Sequence, residues 1–303
     1  EPQDVPFEKE GQYLKSDNRS NISYFLEHNV LLRRFTLSVG VLANYNSALN
    51  EGIHFYPGID ASYRIGDNVR LYGSWNRALR MPTFTDLYYE GKTNKGNPDL
   101  KPEESEAFEV GLKYNTYFLR AHIAGFYRKG KNMIDWVKEK PEDIWESRNL
   151  TKVDNLGFET NLSLLPRELG NERFFIRKIE LGYAFIHQDK DSEGYISNYA
   201  LDYLKHKFTA QLSHSIWKGF SATWYVRWQD RAGSYTKYEN LKPAYEEPYA
   251  PYCLVDMKVN WEYQRLNLYA ELNNLLNSTY YDLGNIPQPG IWFKAGFRYS
   301  FKY

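Results

Sequence analysis

The segment 291–303 reads I-W-F-K-A-G-F-R-Y-S-F-K-Y and alternates between two kinds of side chain along its whole length. Successive side chains of a β-strand point to opposite faces, so the segment predicts a strand with one aromatic and one largely cationic face. The aromatic face carries Phe293, Phe297, Tyr299, Phe301 and Tyr303. Lys294 and Arg298 lie on the other face. An aromatic band towards lipid and a polar face towards a wet lumen are what a strand of an outer-membrane β-barrel needs.

The composition of the 303-residue chain narrows the class of protein. Its 38 basic residues balance 38 acidic ones, so no field that would attract nucleic acid is predicted. Aromatic residues make up 17% of the chain, yet its mean hydropathy is -0.66. No apolar run approaches the roughly 20 residues of a membrane-spanning helix. This combination excludes a helical membrane protein and suits strands of which one face meets water.

About thirteen segments alternate in the manner of strands. They are 19–30, 35–44, 56–65, 69–79, 106–114, 117–128, 157–165, 176–187, 205–216, 219–229, 252–262, 265–275 and 291–303. The face assignment is clear in several of them. In 219–229, for example, Trp224, Val226 and Trp228 oppose Thr223 and Arg227.

Short and long connections between these segments take turns. The short ones are 66–68, 115–116, 217–218 and 263–264, and the long ones are 80–105, 129–156, 188–204, 230–251 and 276–290. Outer-membrane barrels have short periplasmic turns and long extracellular loops, whereas a sandwich has no reason to place every long loop at one end. The predicted fold class is an all-β, antiparallel transmembrane β-barrel. Soluble sandwiches and lipid-carrying barrels remain the alternative from periodicity alone.

The odd number of predicted strands needs an explanation, because single-chain bacterial barrels have even numbers. Either residues 4–14 add an edge strand, or the rest of the barrel lies upstream. We favour the second. Residues 1–303 are then expected to be the C-terminal part of a larger barrel domain.

Four motifs carry a family resemblance. They are GSWNRALRMPT at 73–83 with DLYY at 86–89, GNPDLKPEES at 96–105, EVGLKY at 109–114, and ELNNLLN at 271–277 followed by YY at 280–281 and PQPG at 287–290. In this order and at these distances they resemble the barrel of TonB-dependent outer-membrane receptors. YYEG at 88–91 and MIDW at 133–136 look most like the cobalamin-receptor branch of Bacteroides-type bacteria.

The resemblance implies a carrier in the bacterial outer membrane that imports a scarce ligand, with cobalamin or a siderophore as the expected cargo. It also implies several partners. These are outer-membrane lipid, a plug domain and N-terminal strands of the same receptor, the inner-membrane TonB energy complex, a small-molecule ligand and, as a further candidate, a surface lipoprotein. The chain departs from the family in showing no plug domain and fewer strands than the family's barrel. No nucleic-acid partner is expected.

Candidate functional residues follow from these assignments. The expected ligand-binding residues lie in the long connections, where a rigid scaffold presents aromatic side chains that can stack on a ligand. They are Tyr88, Tyr89, Trp136, Trp145, Tyr195, Tyr235, Tyr238 and Tyr245. The expected residues facing the lumen or plug are Arg64, Arg70, Glu109, Arg120, Arg227, Asp256 and Arg298. The expected barrel-assembly signal is Tyr299, Phe301 and Tyr303.

The motifs also have a local physical interpretation. Asn97, Pro98 and Asp99 form a turn sequence that returns the loop to the sheet, since Asn caps its own backbone and Pro presets φ. Arg77 and Arg80 near a strand end are expected to pair with Glu103, Glu104 or Glu109 and to organise the rim.

Enzyme and metal chemistry are weakly supported. The six histidines are scattered, and no nucleophile elbow, phosphate loop or zinc pattern occurs. The segment DKDSEG at 189–194 has calcium-loop character but lacks the downstream bidentate Glu, so a solvated loop is favoured and no cofactor or metal is expected. The alternative function from another class is a soluble β-sheet carbohydrate-binding or adhesion module. A barrel lipase or protease would need a catalytic spacing that is absent.

Overall fold

The computed structural model describes residues 3–6, 13–47, 52–140, 142–170, 173–191, 194–197, 203–239, 242–284 and 286–301. These residues are mostly β-strands. The helices within them are α1 (Phe84–Tyr88) and a 3₁₀-helix at Pro166–Leu169. Neither helix of this part of the chain is long and apolar enough to cross a membrane.

The strands in the described residues follow in chain order. They are β1 (Gln3–Pro6), β2 (Tyr13–Asp17), β3 (Asn21–Leu31), β4 (Phe35–Asn46), β5 (Ile53–Arg64), β6 (Val69–Arg80), β7 (Asn94–Lys95), β8 (Glu103–Asn115), β9 (Leu119–Lys138), β10 (Trp145–Leu164), β11 (Ile176–Asp191), β12 (Ile196–Ser197), β13 (Leu204–Trp217), β14 (Phe220–Arg231), β15 (Ser234–Glu239), β16 (Lys242–Pro248), β17 (Tyr252–Tyr263), β18 (Leu266–Asn273), β19 (Tyr281–Leu283), β20 (Ile286–Pro287) and β21 (Trp292–Tyr299).

The chain divides into two compact units. The first consists of residues 1–111, 125–156 and 187–201, and the second of residues 112–124, 157–186 and 202–303. Because β8, β9, β10 and β11 are long, each contributes residues to both units.

In the first unit, β3, β4, β5, β6, β8, β9 and β10 are successive hydrogen-bonded neighbours. The strands β3 to β6 pair antiparallel with an unshifted register, so that Phe25, Leu42 and Tyr56 form one row across three strands. Polar residues such as Ser23, Ser38 and Asp60 share the face of that row. The opposite face is apolar and carries Ile22, Tyr24, Leu26, Val41, Phe55 and Ile59.

In the second unit, β8, β9, β10, β11, β13, β14, β17, β18 and β21 are successive neighbours. One row of the apolar face runs through Leu212, Trp224, Met257, Leu272 and Phe293. The next row belongs to the polar face and runs through Ser213, Thr223, Lys258, Glu271 and Lys294. Period-two alternation in the sequence therefore becomes two chemically distinct faces.

The polar faces balance their own charges. The Glu271 carboxylate lies between two lysines, 2.8 Å from Lys258 Nζ and in contact with Lys294 Nζ. Beside this group, Gly296 leaves room for the ring of Tyr269 on the neighbouring strand, because a Cβ at Gly296 would lie 2.5 Å from the tyrosine hydroxyl. An aromatic ring that covers a cross-strand glycine helps to fix the strand register.

The strand predictions can now be compared with the structure. All thirteen predicted strands are present, and the all-β antiparallel class is confirmed. The predicted loop 129–156 was wrong, because β9 and β10 extend as 20-residue strands and leave only residues 139–144 as their connection. The connection 230–251 likewise contains the hairpin β15–β16, which pairs as a separate sheet.

The two ends of the chain can be compared with the expectations as well. Among the described residues, β1 and β2 pair with each other and not with the edge of the main sheet, which argues against residues 4–14 as an edge strand. Residues 7–12 lie outside the described residues. The last strand ends at Tyr299, so Phe301 follows the strand, while Tyr303 of the expected assembly signal lies outside the described residues.

The faces of β21 provide a first prediction. Phe297 is 74% exposed and Phe293 is 61% exposed on the apolar face, whereas Trp292 shares the face of Lys294. We expect Phe297→Arg to destabilise the folded state by about 2–4 kcal/mol at mid-bilayer depth, because a guanidinium would then face lipid. The matched control Trp292→Arg should cost much less. Urea titrations of folding into lipid vesicles measure both, and equal losses would contradict the assignment of faces.

Candidate functional site

The connection between β6 and β8 begins with a well-capped helix. Thr83 Oγ1 accepts a hydrogen bond from the Asp86 backbone N at 3.1 Å, and the Asp86 carboxylate accepts one from the Thr83 backbone N at 3.0 Å. This reciprocal pair is a capping box, which satisfies backbone donors at the start of α1. It fixes the direction in which the loop leaves β6.

The loop then folds back on α1. The backbone N of Gly96 donates to Tyr89 O at 2.6 Å, and that of Asn97 donates to Asp86 O at 2.9 Å. Only glycine fits at 96, since a Cβ there would lie 2.8 Å from the backbone of Leu87 and of Tyr88. The predicted turn is confirmed as well, because Asn97 Oδ1 accepts from the Asp99 backbone N at 2.9 Å.

Two further contacts attach this loop to β10. Asn149 Oδ1 accepts from the Lys101 backbone N at 2.8 Å, and Asn149 Nδ2 donates to Lys101 O at 2.9 Å. The buried Ser147 hydroxyl donates to Asp86 O. Side chains of β10 thus hold the loop by hydrogen bonds to its backbone.

Glu103, the first residue of β8, is the buried centre of this region. Its carboxylate accepts from Arg80 Nε at 2.5 Å, from Arg80 Nη2 at 2.6 Å and from the Ile134 backbone N at 2.7 Å. Arg80 also lies 3.9 Å from the Asp86 carboxylate. One carboxylate therefore joins the end of β6, the start of β8 and the outer part of β9.

The expected pairing of the two rim arginines is confirmed in its main features. Arg80 pairs with Glu103, while Arg77 lies 3.6 Å from Glu104 and 3.3 Å from Glu106 at the surface. Glu109, the third expected partner, instead accepts a hydrogen bond from the Tyr72 hydroxyl at 2.8 Å.

Aromatic residues of the hairpin β9–β10 pack against this loop. Trp136 is buried, and its ring meets the ring of Tyr89 edge-on at 6.3 Å. Lys138 Nζ lies 4.5 Å from the centre of the Trp145 ring. Trp136 thus lies in a strand and packs against exposed Tyr89. The ring of Trp145 is in contact with the Lys138 ammonium.

The segment 194–197 lies on the same hairpin. The two residues of β12 pair with Val137 and Lys138 of β9, and the Ser197 hydroxyl donates to the buried Asp135 carboxylate. Arg148 lies over the ring of Tyr195, 4.8 Å from its centre, and also donates to its hydroxyl. The loop cluster, by which we mean residues 81–102, 132–149 and 194–197, thus presents cations stacked on aromatic rings.

A second aromatic group lies in the second unit, at the hairpin β15–β16. The buried Tyr235 ring stacks on Tyr281 at 5.1 Å and contacts Tyr249 at 5.2 Å. The Glu247 carboxylate accepts from Lys237 Nζ and from the Tyr235 hydroxyl, both at 3.0 Å. Of the other expected ligand residues, Tyr245 is exposed, and the side chain of Tyr238 lies outside the described residues.

These contacts change the pKa values of three side chains in the hairpin. The Lys237 ammonium, followed by the Tyr235 hydroxyl, lowers the pKa of Glu247 below its ordinary value. The same contact raises the pKa of Lys237. Burial, followed by the hydrogen bond to Glu247, raises the pKa of Tyr235. All three groups lie in the long connection between β14 and β17.

The residues expected to face the lumen or plug lie on the polar faces. In the first unit, Arg64 and Arg70 are directly paired across two strands. In the second unit, Arg120, Arg227 and Asp256 line one cavity of about 640 Å³, and Arg298 lines another of about 950 Å³. Asp256 also accepts from the Asn274 backbone N at 2.7 Å, so it shapes the turn after β18.

Several residues that build these sites were not predicted from the sequence. They are Asp135, Lys138, Ser147, Arg148, Asn149, Lys237, Glu247 and Tyr281. Most act through a partner far away in the chain, so no local pattern marks them. In the part of the chain that the structure describes, no group of three or more His, Cys, Asp or Glu residues could hold a metal ion. The calcium-loop-like segment 189–194 includes residues 192–193, which lie outside the described residues.

Comparison with known proteins gives the family. Residues 3–275 match the family described as TonB dependent receptor-like, beta-barrel. The chain belongs to this family of TonB-dependent receptor β-barrels. Its members are receptors and transporters of the bacterial outer membrane, so the expected localisation is confirmed. The soluble carbohydrate-binding alternative is therefore set aside.

Curated relatives in this family include transporters for two kinds of cargo. The Vitamin B12 transporter BtuB of Vibrio vulnificus is 25% identical over 191 residues, which cover 57% of this chain and 30% of the relative. The Ferrienterobactin receptor of Escherichia coli K12 is 22% identical over 297 residues, which cover 88% of this chain and 38% of the relative. The chain spans about a third of the length of these relatives.

Solved structures agree with the family assignment. A variant of the ferric enterobactin receptor PfeA from Pseudomonas aeruginosa, solved in complex with enterobactin, matches 96% of this chain and 47% of its own length with a TM-score of 0.74 and 20% identity. The siderophore receptor PirA from the same species matches 95% and 48% with a TM-score of 0.69 and 17% identity. At these identities the likeness shows the TonB-dependent receptor fold alone.

The buried Glu103 provides a second prediction. In Glu103→Gln the amide keeps the shape of the carboxylate but loses its charge-assisted bonds to Arg80, so we expect the loop 81–102 to lose about 1–3 kcal/mol of local stability. Glu104→Gln is the matched control, because Glu104 makes an exposed ion pair worth less than about 1 kcal/mol. Amide hydrogen exchange of 81–102 and Ile134 measures both. Equal protection in the two variants would show that Glu103 does not hold the loop.

The hairpin β15–β16 provides a pH prediction. Because the pKa of Glu247 is lower in the folded state than its unfolded value of about 4.3, its contribution to stability is present above that value and is lost as the pH falls through the folded pKa. We expect the described residues of β15 and β16 to exchange amide hydrogens faster as the pH falls below that value, after correction for intrinsic exchange rates. Glu247→Gln should remove this acid step and Glu246→Gln should keep it. An acid step that survives in Glu247→Gln would assign the titration to another group.

Proposed function

We propose that the chain is part of an outer-membrane receptor that imports a scarce small molecule by energy-coupled transport, with cobalamin or a ferric siderophore as cargo. Family membership supports the transport role, and the names of the curated relatives support the two kinds of cargo. The protein is a carrier in this proposal and not an enzyme.

The observation that carries the proposal is the loop cluster of the first unit. Its backbone is fixed by the capping box, by the tight approach at Gly96 and by the buried Glu103. On this frame, Arg148 lies over Tyr195 and also pairs with Glu146 at 2.9 Å, and Lys138 lies over Trp145, so charge and ring surface occur together. Such pairs suit the recognition of anionic or aromatic ligand groups on a preorganised surface.

The expected ligand residues differ in how they contribute. Exposed Tyr89 and Tyr245 are available for direct contact, whereas buried Trp136 and Tyr235 support their neighbours. Direct binding by Tyr88, Trp145 and Tyr195 belongs to the same proposal.

The partners follow from this role. A plug domain and N-terminal strands of the same receptor would complete the barrel around residues 1–303, with outer-membrane lipid on the apolar faces. The inner-membrane TonB complex would act through the plug, and a surface lipoprotein is a further candidate partner. The sequences at 88–91 and 133–136 support a cobalamin receptor of the Bacteroides-type branch within the family.

Uptake assays test the proposal directly. Cells that lack the gene, complemented with the wild-type gene, should take up labelled cyanocobalamin or ferric enterobactin, and a protonophore should abolish uptake because transport is energy-coupled. Uptake of neither compound above the deletion background would contradict the proposed cargo. Uptake that persists with the protonophore would contradict the energy-coupled mechanism.

A pair of arginine variants tests the loop cluster in the same cells. Arg148→Met should reduce uptake of the anionic ferric enterobactin by about tenfold, since a charge-assisted bond contributes on the order of 1.5 kcal/mol. Arg177→Met is the control, because Arg177 is the second residue of β11, at the end with short turns, and donates to the Ser215 hydroxyl oxygen at 2.8 Å. Equal losses in the two variants would indicate a general folding defect and not a loop contact.

A further inference from the structure

The polar face of β3, β4, β5 and β6 contains a cavity of about 720 Å³ whose lining meets the loop cluster at Met81. All of its lining residues lie between residues 19 and 81, within the first unit. Uncharged hydrogen-bonding side chains dominate one end of it. We call this group the amide pocket; it consists of Asn21, Ser23, Asn44, Asn46, Tyr56 and Asn76.

The amide pocket is held in place by its own hydrogen bonds. Asn44 Nδ2 donates to Asn21 Oδ1 at 2.9 Å and to Ser23 Oγ at 2.8 Å, and Asn46 Nδ2 donates to Asn21 Oδ1 at 3.3 Å. The strand register creates these contacts, because Asn21 pairs with Asn46 and Ser23 pairs with Asn44 across β3 and β4. The amide of Asn44 is therefore fixed with its nitrogen towards β3.

Two buried polar atoms of the pocket remain unpaired. Tyr56 is 8% exposed and Asn44 is 6% exposed, and both line the cavity. Among the described residues, neither the Tyr56 hydroxyl nor Asn44 Oδ1 finds a hydrogen-bond partner. Buried polar groups are nearly always satisfied in folded proteins, so two unpaired atoms that border one cavity call for a ligand with complementary groups.

The charges around the cavity sum to zero. Arg19 and Arg77 face Glu27 and Asp60 in the lining. Each arginine already has protein partners: Arg19 donates to Pro82 O at 2.8 Å, and Arg77 pairs with two surface glutamates. A polyanion would therefore find no uncommitted arginine in this cavity.

We propose that the amide pocket is a binding subsite for an uncharged ligand group that carries both a hydrogen-bond donor and an acceptor, such as a carboxamide or a hydroxyl. Asn44 Oδ1 accepts from the donor, and the Tyr56 hydroxyl donates to the acceptor. Phe25, Leu42 and Met81 in the same lining provide apolar contact for the carbon skeleton. The subsite deepens the proposed function and rests on it, and among the proposed cargoes it favours the carboxamide-bearing cobalamin over the anionic siderophore.

The test uses Tyr56→Phe in the receptor as it is made in outer membranes of its own cells. This change removes only the hydroxyl, which has no partner in the described residues, so the folded state should not lose stability. Tyr63→Phe is the matched control, since Tyr63 lies on β5 but on its opposite, apolar face. Binding is measured with three probes: cyanocobalamin for carboxamides, a neutral oligosaccharide for hydroxyls and ferric enterobactin for an anion.

We expect Tyr56→Phe to weaken binding of one neutral probe about 3- to 10-fold, the size of one hydrogen bond, while Tyr63→Phe leaves it unchanged. The affected probe identifies carboxamide or hydroxyl as the ligand group. An effect on the oligosaccharide alone, without cobalamin or siderophore binding, would keep the subsite and overturn the proposed cargo.

Three results would overturn the subsite. The first is that the wild-type receptor binds neither neutral probe; if it still binds ferric enterobactin, the proposed function stands without the subsite. The second is that Tyr56→Phe affects only ferric enterobactin. The third is that Tyr56→Phe leaves all binding unchanged but lowers the melting temperature relative to Tyr63→Phe, which would show that another part of the receptor itself fills the pocket.

Discussion

Backbone hydrogen bonding between neighbouring strands is the constraint on which the rest of the structure depends. In hydrocarbon no water can satisfy a free N–H or C=O, so each strand must pair along its length, and the pairing sets the register. A slip of one residue would move every side chain to the wrong face. In the second unit it would replace the row containing Trp224 and Phe293 by the row containing Lys258 and Lys294. Charged side chains would then face lipid, and this penalty makes the register unique.

The same register lets the polar face carry charge at low cost. Glu271 compensates two lysines because three neighbouring strands place them in one row, and no local sequence feature would bring them together. Tyr269 lies across Gly296 for the same reason. Once the register is set by the apolar face, the polar face needs only local complementarity. It can therefore vary in chemistry from a charge ladder in one unit to amide groups in the other.

Alternation was sufficient to predict thirteen strands because each has one face that must be apolar. It failed beyond residue 128, because the outer part of β9 does not have one apolar and one polar face. Asp135 and Trp136 are both buried there, against loop residues and not against lipid. Buried polar residues such as Ser147 break the two-residue period, so the outer halves of β9 and β10 read as a loop. Aromatic residues of the candidate site were found from their positions in the predicted long connections, but which of them are exposed depends on contacts far apart in the chain.

In the proposed receptor, the first unit provides two surfaces that select ligands by different physical interactions. Cations of the loop cluster attract anionic ligands over distances of up to a Debye length and so raise the association rate. This attraction depends little on the orientation of the ligand. The amide pocket acts only at hydrogen-bond distance, and a ligand that lacks the matching groups leaves Tyr56 and Asn44 unpaired. Rejection by unpaired buried groups is the more discriminating of the two. A receptor with both surfaces can attract ligands at its loops and select among them on the strand wall beneath.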